Sequence, residues 1–529
     1  MLFVAFAPAI VAALVFAGTL GNGLVYDDPM ALARAAESPA ALAVRRFGLT
    51  YLTIHAERLV WGDWVPGFHL GNVVLHAVAS GLVGVLALRL GARPWAACAA
   101  GLLFAVHPVH AEAVASIENR KEILAMILVA TSVLLWLRPQ AWATAAALVA
   151  WGLAMHAKEV AAVGLAVVLP LADVLIRRVP VRRALARTVP VAAVAVLATA
   201  LYGGNVLAHF TPAAVDKATS GAATSAGDAL LVSAAAVPSL VRLLVFPLTL
   251  SADYPTPRPA GLLDGAVLAG IGAVAIALAG FALAARRAPL AAFAIAWTLV
   301  MYVPLANLVP LGPHFVVERY LYVPSFGACL LVALGLDAVR RRAAPAAVAV
   351  LALLVAAGAA RSMARVPDWH DALSLWESAA RAIPEGSGRI HAELGLAYSR
   401  AERSQDAIDQ FRRSIERGPE KADTQSNLGL ELLKVGQIDA SIPHFARAVE
   451  IWPENPIFHY NLGTALLRSG RYAAALAELR IAGSDEAWRH ADPSVGAALA
   501  ARGLSEQQFR SSVAQWIAEN AAKIEALGR

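Results

Sequence analysis

Long apolar runs separated by short arginine-bearing connectors fill residues 1–365, and then the pattern changes. Runs of membrane-spanning length fall at 2–20, 69–88, 122–137, 141–156, 159–176, 188–207, 263–284, 289–305, 320–338 and 344–362. The run 94–106 is short, but it lies between two others and must cross if they do. That predicts about eleven spans. Segment 229–250 is weaker, because Ser233, Pro238, Ser239, Arg242 and Pro247 interrupt it. From residue 388 onward the chain is amphipathic, with a helical period and a longer recurrence superimposed on it.

Arginine placement orders the spans. Arg89 and Arg93, Arg138, the group Arg177, Arg178, Arg182, Arg183 and Arg187, the pair Arg286 and Arg287, and the triplet Arg340 to Arg342 sit in short connectors. With the N-terminus inside and eleven spans, all five connectors fall on the inner side, as cytoplasmic loops require. A crossing at 229–250 would flip the last two groups, so this segment is expected to be re-entrant or interfacial. The odd count puts the loops 21–68, 107–121, 208–262 and 306–319, and the C-terminal repeats, on the outer side. The first loop also holds Arg34, Arg45, Arg46 and Arg58, against the rule.

Composition agrees. The chain has 529 residues, 59% hydrophobic and 16% charged, against about 25% charged in soluble domains. The net charge of +6 does not imply nucleic acid, because the basic residues cluster at the ends of apolar runs. Cys98 and Cys329 both lie inside such runs, so no disulfide framework is implied. Residues 2–20 lack a basic leader and read as an uncleaved first span.

The recurrence after 388 is 34 residues. Leu394-Gly395, Leu428-Gly429 and Leu462-Gly463 align, as do Gly436 with Gly470, Pro419 with Pro453, and Phe411 with Phe445. A small residue where two helices touch, an aromatic in the second helix and a proline at the exit are the tetratricopeptide pattern. The expected organisation is a multispan domain at 1–365, a connecting half-repeat at 366–387, three repeats at 388–490 and a capping helix region at 491–529. The fold class is all-α: a polytopic helical bundle followed by an α-solenoid, whose concave face binds protein in most such arrays.

The outer loops hold the chemistry. Asp27 and Asp28 follow the first span at once. Adjacent carboxylates repel, and burial raises the pKa of at least one, as a general base needs. They also read as a solvated helix terminus. His107-Pro108-Val109-His110-Ala111-Glu112 and Glu118-Asn119-Arg120-Lys121-Glu122 lie between two spans, where ionisable residues are costly and usually functional. His107, His110 and Glu112 are metal-ligand types, but Pro108 prevents a regular helical face, and no metal is expected. Arg120 and Lys121 suit a phosphate. Lys158-Glu159, Asp253-Tyr254 and Glu318-Arg319-Tyr320 mark further outer ends.

Read together, Tyr26-Asp27-Asp28, Phe68-His69-Leu70-x-Asn72-x-x-Leu75-His76, His107-Pro108-Val109-His110-x-Glu112, Lys158-Glu159, Leu250-Ser251-x-Asp253-Tyr254 and Glu318-Arg319-Tyr320-Leu321-Tyr322-x-Pro324-Ser325, followed by tetratricopeptide repeats, resemble a known family. The chain is similar to the transmembrane-and-tetratricopeptide-repeat (TMTC-type) protein O-mannosyltransferases, themselves similar to the wider GT-C glycosyltransferases. The resemblance implies an external active site, a polyprenyl-phosphate sugar as donor, mannose in the animal members, and a protein hydroxyl as acceptor. It maps the acidic motif to Asp27 and Asp28. Transfer needs a base for the acceptor proton and cations for the leaving phosphate. The expected base is Asp27 or Asp28. The expected phosphate ligands are His107, His110, Arg120, Lys121 and Arg319, with Glu112, Glu118, Lys158, Glu159, Asp253 and Glu318 in support. No cofactor is expected. Asp27, Asp28, His107, His110, Arg120 and Arg319 are expected to converge in one outward cavity. The implied place is a bacterial cytoplasmic membrane, with the repeats outside. An envelope oligosaccharide ligase or polymerase would want a long outer loop rich in Arg and His. A non-catalytic membrane scaffold would have no reason to gather these residues.

Overall fold

The computed structural model describes residues 2–190, 225–307, 314–484 and 504–527, with positions 488, 495 and 499 between the last two. Every regular element among them is helical. They divide into two units, Met1–Ile383 and Pro384–Arg529, the division falling inside the expected connector. The first is a bundle of apolar helices; the second is a solenoid of helix pairs.

In the bundle, five helices are long and apolar enough to cross a membrane: Leu2–Gly21, Val65–Arg89, Gly227–Val245, Gly265–Arg287 and Ala344–Trp369. Pro94–Ala105 with Pro108–Ala115, bent by 50°, makes a sixth candidate. Between them run Arg120–Trp136, Ala141–Val163, Leu165–Ile176, Pro289–Leu305 and Ser325–Arg340. The segment expected to be re-entrant or interfacial thus forms a regular helix, Gly227–Val245, long and apolar enough to cross. Its polar residues do not break the helix, because the Ser233 hydroxyl donates to the Ala229 carbonyl at 2.9 Å, within the helix itself. Of the expected span 188–207, residues 191–207 lie outside the described set, as does the stretch 208–224 of the outer loop.

Arginines of the connectors gather at shared carboxylates. At one end of the bundle, Arg177 and Arg187 hold Asp173 at 2.8 Å, Arg187 lies over Trp136, and Arg93 and Arg340 face Asp337. At the other end, His107 pairs with the Leu244 carbonyl at 3.1 Å and Ser362 donates to the Val106 carbonyl at 2.9 Å. Leu165–Ile176 runs toward the arginine end, and Gly227–Val245 ends beside His107, at the histidine end. Arg340 of the last connector thus stands with Arg93 of the first, on one carboxylate.

Small residues set the close crossings, as lipid offers no hydrophobic drive between helices. A Cβ on Gly84 would collide with the Val4 carbonyl, and one on Gly270 with the Ala234 carbonyl.

In the second unit, Gly388–Arg400 pairs with Ser404–Arg417, Ala422–Lys434 with Ile438–Ile451, and Pro456–Arg468 with Tyr472–Gly483. Gly395 and Gly429 leave room for the rings of Phe411 and Phe445, and Gly463 for Leu479. The turn inside each pair needs a left-handed residue. Gly436 (φ 81°) and Gly470 (φ 79°) supply it, but the equivalent first-repeat position is Glu402, at φ 58°. A side chain there costs about 1–2 kcal/mol. Glu402→Gly is therefore expected to raise the melting temperature of the repeats by a few degrees; an unchanged or lower value in a thermal melt would refute the strain.

Candidate active site

The acidic motif sits on a tight reversal between the first span and the helix Asp28–Ala35. Tyr26 is left-handed (φ 56°), and the Asp28 amide closes the turn on the Val25 carbonyl at 3.0 Å. The two carboxylates have different surroundings. Asp28 is fully buried. Its Oδ2 accepts the Val25 amide at 3.2 Å, and its Oδ1 accepts the Ser116 hydroxyl and the Glu118 amide, each at 2.9 Å. It therefore pins the first loop to the loop before Arg120. Asp27 is exposed and its side chain makes no helix-capping bond.

Burial pushes the Asp28 carboxyl up to about 7, against the three donors that pull it down. A carboxyl raised on folding adds stability that is full below its unfolded pKa, near 4, and is lost as pH rises through 7. Glu318, also driven up to about 7 by its burial, acts in the same direction. Thermal melts of the protein in detergent should show the melting temperature falling between pH 5.5 and 8.5, and Asp28→Asn should flatten part of that slope. Equal slopes would remove Asp28 from the titration.

The second loop divides its residues between two tasks. His107 faces the Leu244 carbonyl, and its other ring nitrogen accepts the Val109 amide at 3.4 Å. His110 is fully buried and pairs with the Ser325 hydroxyl at 2.9 Å, its ring packed on Phe104 and Tyr322. Arg120 is fully buried as well. It donates to the Asn72 side chain at 2.7 Å and the Phe68 carbonyl at 2.9 Å, and it pairs with Glu57 at 2.7 Å. His107, His110 and Arg120, expected to converge with the acidic pair, bond to Leu244, Ser325 and Asn72, and Asn72 leads back to Asp28 through Ser116. All three bond the loop to neighbouring helices, while Arg120 Nη1 and His110 Nδ1 are buried without a hydrogen-bond partner among the described residues. His107, His110 and Glu112 also face different partners, so they present no shared face to a metal.

Lys121, Arg319 and Lys158 take the other task. Arg319 pairs with Glu112 through its guanidinium and, at 2.9 Å, through its backbone amide. Its guanidinium carbon lies 5.8 Å from the Tyr26 ring centre and 5.5 Å from that of Tyr320. Lys121 pairs with Glu118, and Lys158 with Glu122. Lys158 breaks its helix (φ −160°, ψ 98°) and lies 4.9 Å from the Tyr320 ring. Burial raises Glu118, but Lys121, Arg319 and Lys158 together outweigh it and hold the carboxyl below its ordinary range. Three cations thus share the field of Glu118, whose own amide binds Asp28.

The remaining expected residues stand at the margin. Glu318 is fully buried, accepting the Ser251 amide at 2.6 Å and the Tyr254 hydroxyl at 2.8 Å. Asp253 is buried and faces His314 at 3.7 Å. The Glu159 side chain lies outside the described set. The sequence reading missed Glu57, the counter-ion of Arg120, 63 residues away, and the pairing of Glu122 with Lys158, 36 residues away. It also missed the rings of Tyr26 and Tyr320, although both stand in its quoted motifs.

Comparison with known proteins agrees with this organisation. A tetratricopeptide repeat family model matches residues 426–494. Protein O-mannosyl-transferase Tmtc2 of Drosophila melanogaster is 37% identical over 148 residues, 24% of this chain and 16% of that protein. Tmtc1 of the same organism is 33% identical over 132 residues, 21% and 15% of the two chains. Human TMTC4 is 40% identical over 90 residues, 14% and 12%. Over these stretches the chain is similar to the Tmtc proteins. The matched stretches span about a sixth of the length of the first two relatives. Among solved structures, YrrB, described as a TPR protein with an unusual peptide-binding site, is 21% identical over 29% of this chain and 76% of its own, with a TM-score of 0.21.

Proposed function

We propose that this protein is a membrane glycosyltransferase that moves a sugar from a polyprenyl phosphate to a hydroxyl of a protein. The observation that carries the reading is an exposed Asp27, on a turn pinned by Asp28, beside a cluster of Lys121, Lys158 and Arg319. The kinship with proteins named as O-mannosyl-transferases supports the reaction class.

The chemistry follows from the groups. The acceptor oxygen attacks the anomeric carbon while the Asp27 carboxylate takes the hydroxyl proton. The bond from that carbon to the phosphate oxygen breaks, and polyprenyl phosphate leaves with the bonding pair. Lys121, Lys158 and Arg319 stabilise the charge that grows on the phosphate. A single displacement inverts the anomeric configuration. The polyprenyl tail needs an apolar solvent, which supports chemistry at the membrane surface. The arginine end supports a cytoplasmic N-terminus in a bacterial inner membrane, with the site and the repeats on the outer side. The repeats present the protein acceptor.

The test is transfer from synthetic polyprenyl-phosphate sugars to envelope proteins by the purified protein in nanodiscs, read as a hexose mass increment. Protein lacking residues 384–529 should bind donor as the full chain does and lose most transfer to protein. Absence of any increment with the full chain across polyprenyl-phosphate hexoses would sink the reading.

A further inference from the structure

We propose that Trp376, on the short helix after the last span, is a positioning residue for this site: it holds Tyr26, and through it Asp27 and Arg319, in working geometry. The inference rests on the glycosyltransferase reading.

Trp376 is 4% exposed and belongs to the helix Ala372–Ala382, which the repeat pattern alone assigned to a connector. Its ring stacks on Tyr26, with centres 6.0 Å apart and planes at 26°. The same Tyr26 ring receives the Arg319 guanidinium at 5.8 Å. Tyr26 is thus the shared neighbour of a phosphate cation and a tryptophan, and it immediately precedes the exposed carboxylate. Its backbone is left-handed, a strained state for a tyrosine that persists only where the surroundings over-determine it.

The helix that carries Trp376 is itself fixed against the motif. Asp371 caps it by accepting the Ser374 amide at 2.8 Å. Arg365, fully buried, donates to Ser378 at 3.0 Å and to Asp368 at 2.9 Å. The Gly23 amide donates to the His370 carbonyl at 2.8 Å, and the Asn22 side chain to the Val366 carbonyl at 3.4 Å. Segment 366–382 therefore grips residues 22–26 by backbone and ring together. Arg365 also lies 3.8 Å from Glu318, the residue before Arg319. One short segment touches the base turn and the cation turn at once.

The experiment uses the full chain in lipid nanodiscs and two readouts. In the first, Cys98 and Cys329 are replaced by alanine, and Asp27→Cys reports the turn through its rate of reaction with a small anionic thiosulfonate. Trp376→Ala and Trp376→Leu should each change that rate severalfold, and Trp376→Phe should restore it. Leucine keeps an apolar filler without the ring, so a folding defect peculiar to alanine is separated from loss of the stack. In the second, with Asp27 restored, Trp376→Leu should lower kcat by up to about 10²-fold, as a small misplacement of reacting groups does, with donor KM changed far less. In a Tyr26→Ala background the Trp376→Leu change should add nothing further, because its effect runs through the ring. An unchanged thiol rate, or effects that simply add, would overturn the proposal. If the wild-type protein transfers no sugar, the glycosyltransferase reading fails while the thiol readout still decides whether Trp376 holds the turn.

Discussion

Asp27→Asn is expected to abolish sugar transfer while the protein reaches the membrane at normal levels and melts at its normal temperature. The Asp27 side chain is exposed and makes no cap bond, and the change is nearly isosteric, so packing is kept while the charge is removed. Loss of a general base costs about 10²–10⁴ in rate. Asp28→Asn should behave differently. Its three donors are all hydrogen-bearing groups, and an amide nitrogen offers at least one of them a second donor instead of an acceptor. An unmet buried donor costs about 1–3 kcal/mol, so this variant should melt lower and lose transfer with its fold. The sequence motif put the two aspartates on equal terms; burial separates an exposed Asp27 from a pinned Asp28. Turnover on a purified lipid-linked donor, measured beside a melting curve, distinguishes them. An Asp27→Asn protein with full turnover would take the base away from this position.

Arg319→Ala is expected to have the second large effect, in donor binding and turnover together. A cation on the phosphate acts in the bound state and more strongly as charge develops, and removing one donor of this kind costs about 10²–10³ in rate. The change also leaves Glu112, 2% exposed, without its guanidinium. An orphaned buried charge destabilises by about 3–5 kcal/mol, so Arg319→Lys is the cleaner variant. It keeps the charge and the backbone bond to Glu112 and should retain intermediate turnover. Arg120→Ala is the control: its partners are Glu57, Asn72 and the Phe68 carbonyl, and it should lower the folded yield while the folded fraction binds donor normally. Titration of both variants with a fluorescent polyprenyl phosphate reads the difference. Equal weakening by Arg120→Ala and Arg319→Lys would return Arg120 to the phosphate site.

Much of the architecture was legible because it depends on period. Apolar runs, arginine connectors and a 34-residue recurrence are local signals, and each reappears as a helix, a charged end or a helix pair. Segment 229–250 looked weak in sequence because hydroxyls count as polar there, whereas in a helix the Ser233 hydroxyl is satisfied by its own backbone. The site was legible only as a collection. Arg120 and Lys121 are neighbours in the chain but face different partners, because successive side chains on a helix point about 100° apart. Their counter-ions settle which is buried, and Glu57 comes from an unrelated stretch of sequence. His107 and His110 drew notice as chemistry and turned out to be joinery between helices. Trp376 carried no signal at all, since its partner lies 350 residues earlier.

Each of the three cations by the acidic turn already has a carboxylate of its own: Arg319 has Glu112, Lys121 has Glu118 and Lys158 has Glu122. Under the proposed function, an arriving lipid phosphate enters by exchange, displacing a resident anion rather than filling bare positive charge. Exchange weakens the grip on donor and on spent carrier alike. On this reading the spent polyprenyl phosphate departs readily, because a glutamate stands beside each cation to replace it.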